Sequence, residues 1–464
     1  MLAPVETIPT SGGVPIRLFL TPELMPDALT MAQLEQLART SGLTHYIAVL
    51  PDVHRKARNP APTGIVVVAK DVIVPSAVDT GISCGTRMVS TDIDARDLTV
   101  PLLDQLFGEI QRTMPPLQDD GEVISTKDVA DIFVRGGEWC CNEFDLSEDE
   151  LDSIEDRGRA VSDTTDREAI LSSVPQKVFK KGQRRFGSVG GGNHFLELQE
   201  IVDILDKEAA ALLGLRKGKA LFMLHTDSRG VGGSIMRAQL EELARVWPST
   251  ATGTNGFRFH SIPAESEEGT RLALAVSAAA NFGFANRIAV TEKLRASVRK
   301  ILRDQSLSMP LLYDCAHVSI KSEQWRGERL WVHRHGASRA LPPSQFPQHP
   351  IFSRTGQPVA IPGSMGHDSL IAVAEEAVAE TFYSINHGAG RTMDKPEALT
   401  AFTNEQVERE MRSKNIRLYR NGSDNIAEQA PGSFKDISQV IEAVSGLGLA
   451  RPVVRLRPLA VSKG

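Results

Sequence analysis

Four short stretches of this chain set imidazole or thiol groups against glycine or at the end of an apolar run. Cys84 lies in "DTGISCGTR" (79–87), and Asn193 and His194 follow the glycine cluster of "GSVGGGNHFLEL" (187–198). His225 closes an apolar run in "LHTDSRGVGG" (224–233), and His317 closes another in "YDCAHVSIKSE" (313–323). One histidine in such a place is ordinarily a satisfied structural residue. Four sites of one kind point instead to donors for a transition metal such as Zn²⁺ or Mn²⁺, although thiolate is a soft partner for manganese. Paired ions of this sort stabilise the attacking and leaving oxygens in phosphate chemistry. A fifth stretch, "SINHGAGRTMDK" (384–395), sets His387 directly before Gly-Ala-Gly-Arg. Glycine lets the main chain come close to a ligand, and Arg391 offers a planar fork of donors matched to phosphate oxygens. Such a loop could cradle a phosphate beside His387, or form a tight turn around a half-buried imidazole.

These residues need strands and helices to hold them. Apolar runs at "YIAVLP" (46–51), "GIVVVA" (64–69), "ALFMLH" (220–225) and "LWVHR" (330–334) predict strands. Helical spacing marks 234–247, 270–302, "AVAEEAVAETFYSI" (372–385) and 436–450, the last with Gly446 or Gly448 available as a cap. Strands and helices mix without a strict βαβ rhythm, so the expected class is α+β, with mixed sheets flanked by helices. No internal repeat or low-complexity linker divides the chain. Residues 1–464 read as one large unit, with the acidic, loop-rich segment 115–175 as a peripheral insertion and "EFDLSEDELDSIEDR" (143–157) as a solvated helix within it.

The 464 residues are 41% hydrophobic and 24% charged, values typical of a globular protein with ample core. No continuous apolar run approaches the roughly 18 residues of a membrane span, and the first residues lack the pattern of a secretory signal. Four irregularly spaced cysteines form neither a disulfide framework nor a zinc ribbon. A cytoplasmic protein is expected, with no membrane partner. The net charge of −6 argues against broad adhesion to nucleic acid but permits a local basic groove, for which "HRKAR" (54–58), "KKGQRR" (180–185) and "RLRP" (455–458) are candidates.

Nine blocks occur in a fixed order: "LPDVHRK", "ISCGTRM", "GGGNHFLEL", "HTDSRGVG", "VHRHGASRALPP", "PVAIPGSMGHDS", "HGAGRTM", "APGSFKDI" and "RLRPLAVSKG". In this order they resemble the RtcB-type RNA ligases, from about residue 12 to the last residue. The resemblance implies the family's own α+β fold and a GTP- and Mn²⁺-dependent reaction. That reaction joins an RNA 3′-phosphate or 2′,3′-cyclic phosphate to a 5′-hydroxyl end, in RNA repair or tRNA splicing. It makes His387 the nucleophile that becomes guanylylated, with Gly388, Ala389 and Gly390 along the phosphate. Neutral imidazole can make this attack at pH 7 without first losing a proton. The resemblance also assigns Cys84, His194, His225 and His317 to one or two Mn²⁺ ions, with Cys84 as a thiolate shared between two. Asn193, Glu197, Ser364 and Ser369 fall where the family contacts the guanylate, Lys463 where it reads the guanine edge, and Arg229 where it faces RNA phosphates. An accessory activator is compatible with the same chemistry. The chain has neither the "KxDG" motif of lysine-adenylylating ligases nor a P-loop.

The chain also departs from the family. Where the family reads Asp-x-x-Cys, with the aspartate on the second manganese, this sequence reads Gly81-Ile82-Ser83-Cys84, and Asp79 is a candidate replacement. "DVHRKARNPAPTG" replaces a glycine-rich loop. Val318, Phe434, His335 and His367 stand where asparagine, tyrosine, lysine and threonine are usual. The departures suggest a divergent paralogue. They keep two alternatives in view: a metal-dependent phosphodiesterase or nucleotidyl transferase on RNA ends, and a non-ligating RNA-binding protein of the same fold.

Overall fold

The computed structural model describes residues 5–56, 59–115, 123–162, 164–247, 251–252, 258–420 and 425–463. The part of the basic cluster 54–58 beyond Lys56 lies outside them. Two large sheets carry the architecture. The first has six strands in the order Glu6–Ile8, Ile16–Leu18, Ile47–His54, Thr63–Ala69, Glu328–His335, Val318–Trp325. The second has eight: Leu311–Ala316, Gly85–Asp94, Lys219–Thr226, Phe195–Ile204, Ala450–Lys463, Ser369–Ala374 and Pro358–Ile361, with Arg417–Arg420 pairing in parallel on the Ala450–Lys463 strand. The remaining pairs are antiparallel, except that Ile16–Leu18 runs parallel to Ile47–His54. Strands Ile47–His54 and Thr63–Ala69 are buried almost end to end, which is why they read as unbroken apolar runs.

The two sheets share a core, with Val49, Val66 and Val332 of the first packed in one cluster with Val359, Ile361 and Leu370 of the second, and the chain passes directly from one to the other at a single residue. Leu311–Ala316 belongs to the eight-stranded sheet and Val318–Trp325 to the six-stranded one, so His317 is the joint between them. Behind this joint runs the helix Glu267–Leu302, with Ser266 as its N-cap, two glutamates in the first turn, two basic residues in the last, and Arg303 in the left-handed region closing it. Its most apolar 18-residue window is 83% buried inside the fold. Gly283 on this helix leaves room for the Cys84 loop, since a Cβ there would stand 2.5 Å from Ser83. One turn on, the fully buried Arg287 donates to the Ser83 carbonyl (2.5 Å) and to Asp314 (2.7 Å), while Arg87 takes the other oxygen of Asp314 (3.0 Å). Removing one partner from a buried ionic network of this kind costs about 3–5 kcal/mol.

Two expectations fail here for physical reasons. Residues 372–385 form no helix: the strand Ser369–Ala374 is followed by a 3₁₀ turn (Glu376–Thr381) and the short strand Ser384–Asn386. Their Ala/Glu composition favours a helix, but Ile371–Ala374 are fully buried against the Ala450–Lys463 strand, and that pairing prevails. Nor is 143–157 a solvated helix. It is broken into short turns, and two of its carboxylates turn inward while Glu148, Asp149 and Asp152 stay exposed: Glu150 meets Arg87 and Arg295, and the fully buried Glu155 meets Lys321 and Arg339. The segment around it is mostly short helices whose apolar side chains, among them Phe133, Trp139, Leu151 and Ile170, join the core against the long helix.

Candidate active site

The four predicted metal ligands converge on one sulfur. Cys84 precedes the strand Gly85–Asp94; its N–H donates to the Gly81 carbonyl (3.0 Å), and its own carbonyl accepts from His317 N–H (2.7 Å). His225 lies in register opposite Thr86 on one side and Phe195 on the other. Its Nε2 is 3.1 Å from Cys84 Sγ and 3.2 Å from His317 Nε2. The ligand atoms of Cys84, His225 and His317 all lie within 4.8 Å of one another. His194, one residue before the strand Phe195–Ile204, holds its Nε2 3.6 Å from the same sulfur.

Burial, first of all, drives His225 and His317 well below the ordinary imidazole range and His194 down to about 4. All three therefore present neutral rings at pH 7. Burial, and next the Asp227 carboxylate, pushes the Cys84 thiol well above its usual range. His317 Nδ1 is buried without a hydrogen-bond partner. Neutral imidazoles facing one another and a thiol that will not ionise alone form a donor set suited to a cation, which would remove the thiol proton on binding. Three nitrogens and one sulfur fit a transition metal.

Beside this cluster stands His387, its ring centroid 4.9 Å from that of His317. It follows the strand Ser384–Asn386. Its backbone N–H (3.0 Å) and its Nδ1 (2.5 Å) both reach Oδ2 of Asp52, a fully buried carboxylate on the strand Ile47–His54. A carboxylate only accepts, so Nδ1 carries a proton, and in the neutral ring the lone pair is on Nε2. Sequence reasoning missed Asp52, although it sits in "LPDVHRK" two residues before a histidine. Lys435 braces it by donating to the carbonyls of Pro51 (3.0 Å) and Val53 (2.7 Å). Gly390 is required for the same contact: its φ is +74°, and a Cβ there would stand 2.3 Å from the Asp52 carbonyl oxygen.

A cavity opens over His387. Asn193, Glu197, Ser364, Gly388, Ala389, Gly390 and Lys463 line it, so most residues assigned to the nucleotide do come together. Glu197 and Lys463 lie buried on neighbouring strands, within electrostatic reach of one another; burial raises the carboxyl and lowers the ammonium. Lys463 Nζ also lies 5.1 Å from the centroid of Phe195. Phe434 forms a wall, with the Arg391 guanidinium 4.8 Å from its ring centroid. Two assignments move. Ser369 is fully buried behind the cavity, where its hydroxyl oxygen accepts from Gly363 N–H (3.2 Å) and pairs with Gln199, which in turn donates to Glu197 (2.7 Å). Arg229 turns inward rather than toward solvent, donating to Ser188 (3.0 Å) and pairing with Asp227, because the turn it occupies (φ +55°) packs it over Gly190. Asp79, the candidate replacement ligand, is engaged by Lys56 at Oδ2 and accepts from Thr80 N–H at Oδ1 (2.6 Å).

The family model described as tRNA-splicing ligase RtcB matches residues 33–464. A protein named tRNA-splicing ligase RtcB from Pyrococcus abyssi is 34% identical over 398 residues, covering 82% of this chain and 42% of that protein. Proteins of the same name from Thermococcus kodakarensis (31% over 452 residues) and Methanococcus maripaludis (32% over 462 residues) each match 95% of this chain and 92% and 93% of their own lengths. The chain thus spans about two fifths of the Pyrococcus relative and nearly all of the other two. Matched over nearly its whole length, and carrying the histidine–cysteine cluster beside His387, the chain belongs to the RtcB family of tRNA-splicing ligases.

Proposed function

We propose that this protein is a GTP-dependent RNA ligase that joins an RNA 3′-phosphate, or a 2′,3′-cyclic phosphate after its opening, to a 5′-hydroxyl end. The observation that carries the reading is the Asp52–His387 contact, which leaves Nε2 as a lone-pair donor at the mouth of a cavity bordered by metal-type ligands. Attack by Nε2 on the α-phosphorus of GTP forms a P–N bond and expels pyrophosphate. The ring then carries both the phosphoryl group and the Nδ1 proton, and the buried Asp52 carboxylate stabilises the resulting positive charge. Transfer of GMP to the RNA 3′-phosphate frees the ring and converts that phosphate into an activated anhydride. Attack by the 5′-hydroxyl closes the phosphodiester and releases GMP. The residues that would hold Mn²⁺ are Cys84, His194, His225 and His317, and the ion would supply positive charge to the phosphate oxygens. Glu197 and Lys463 provide, respectively, a carboxyl and an ammonium for the edge of a purine.

The test is incubation with α-labelled GTP and Mn²⁺, then with an RNA bearing 3′-phosphate and 5′-hydroxyl ends. The protein should take up label through an acid-labile, alkali-stable bond, and the RNA should be joined. Label persisting in His387→Ala, or sealing only of 3′-hydroxyl to 5′-phosphate ends, would overturn the reading. Label without a joined product would favour a nucleotidyl transferase.

A further inference from the structure

The cluster around Cys84 contains nitrogen and sulfur donors but no oxygen. A carboxylate nevertheless stands beside it. Asp227 follows His225 by two residues, just past the end of its strand, and its side chain is 15% exposed. Its contacts to Arg229 use Oδ1, which accepts the backbone N–H at 2.6 Å and pairs with the guanidinium at 3.5 Å. Oδ2 turns toward Gly81: a Cβ built there would lie 3.9 Å from it and would meet nothing else within 4 Å. The space that a side chain at position 81 would enter is therefore bordered by the Asp227 carboxylate, arriving from the neighbouring strand. The guanidinium that pairs with Oδ1 also stands 3.5 Å from His194 Nδ1, which places the carboxylate alongside His194. Asp79 is engaged elsewhere, on Lys56 and Thr80.

We infer that Asp227 supplies the hard oxygen donor of a second divalent-cation position, which it forms with Cys84 and His194, distinct from the position that Cys84 shares with His225 and His317. The inference rests on the metal-dependent reading given above. It explains how the chain can carry glycine at position 81: the carboxylate has been moved to a different strand end rather than lost. Hard oxygen also answers the mismatch between manganese and an all-nitrogen-and-sulfur site.

Binding, rather than activity, is the appropriate readout. The metal-free full-length protein is titrated with Mn²⁺, and the free ion is followed by its electron paramagnetic resonance signal. Wild type should bind two ions. Asp227→Asn should retain one at unchanged affinity and bind the second at least about tenfold more weakly, as expected when a ligand is disabled. Asp227→Asn combined with Gly81→Asp should regain two, since position 81 has both the room and ordinary backbone angles for a side chain. Asp79→Asn should still bind two. The double variant separates a ligand from a mere support of the Arg229 turn, which an aspartate at position 81 cannot restore. Two ions in Asp227→Asn at wild-type affinity would overturn the inference. So would loss of the second ion without rescue in the double variant. A wild-type protein that binds one ion, unaffected by Asp227→Asn, would overturn the second position alone. Binding of no ion would overturn the metal-dependent reading as well.

Discussion

Asp52→Asn isolates what the buried carboxylate does for His387. Asparagine has the same shape, and its carbonyl oxygen can still accept from the His387 backbone N–H and from Nδ1–H, now 3.0 and 2.5 Å from Oδ2. The substitution therefore keeps the geometry and removes the charge. When Nε2 attacks phosphorus the ring becomes cationic, and its hydrogen bond to Asp52 becomes one between two ions inside the fold. Bonds to charged groups contribute about 1.5–3 kcal/mol. At 1.36 kcal/mol per tenfold in rate, losing that contribution slows guanylylation by roughly 10- to 150-fold. The assay is single-turnover uptake of α-labelled GTP at saturating GTP and Mn²⁺, with the number of bound metal ions measured separately. The rate should fall while metal binding stays unchanged, because Asp52 touches His387 rather than the Cys84 cluster. Asp52→Ala should cost more, since it also strands the His387 backbone N–H. Labelling of Asp52→Asn at the wild-type rate would refute the argument that the carboxylate stabilises the charged ring.

Gly390→Ala places a methyl group 2.3 Å from the Asp52 carbonyl at a φ of +74°; it should lower stability by more than about 1 kcal/mol in a urea melt and reduce labelling with it. Phe434→Ala removes the wall on which Arg391 stacks; the loss of about 1–1.5 kcal/mol expected for an aromatic contact should raise the GTP concentration for half-maximal labelling roughly 5- to 12-fold, with little change at saturation. His333 and His335 are held at about 4 and about 3, chiefly by burial, and unfolding returns each toward 6.5. Folded pKa values below the unfolded one mean that their contribution is intact above pH 6.5 and is lost as the pH falls toward 4, by about 1.4 kcal/mol per pH unit for each ring. The urea midpoint of the metal-free protein should accordingly drop between pH 7 and pH 5; a flat profile would contradict the assignment of both rings as buried and neutral.

The parts of the fold legible in the sequence were those where burial and propensity agree. Ile47–His54, Thr63–Ala69, Lys219–Thr226 and Glu328–His335 are apolar runs that are also sheet strands. The helix Ile437–Gly446 ends before Gly448, whose φ is +65°. Residues 372–385 were illegible because the force that makes 369–374 a strand is pairing with residues some eighty positions away. The acidic run 143–157 misled for a related reason: the buried guanidinium and ammonium groups that need its charge are scattered from Arg87 to Arg339. For the site, residue type and local context marked Cys84, His194, His225 and His317, but gaps of 110, 31 and 92 positions gave no means of joining them. Only the family resemblance supplied the grouping. Asp52 lies in a block of that resemblance, but nothing local ties it to the group it orients, 335 positions away.

The way the site is assembled bears on how it could diverge. His317 is a single residue between strands of two different sheets, and its ring faces His225 on one side and His387 on the other. His387 is braced by the six-stranded sheet through Asp52, whereas Cys84, His194 and His225 sit at strand ends of the eight-stranded sheet. Groups held at the ends of sheet strands keep their relative positions better than groups on free loops. The two halves also share one core, in which Val49, Val66 and Val332 pack in the same cluster as Val359, Ile361 and Leu370. Among the departures, Lys56 and His335, at strand ends of the six-stranded sheet, act on Asp79, and Gly81 faces Asp227. On the nucleotide side the changes are milder: Phe434 keeps an aromatic ring under Arg391, and His367 shares a 2.8 Å hydrogen bond with Ser364.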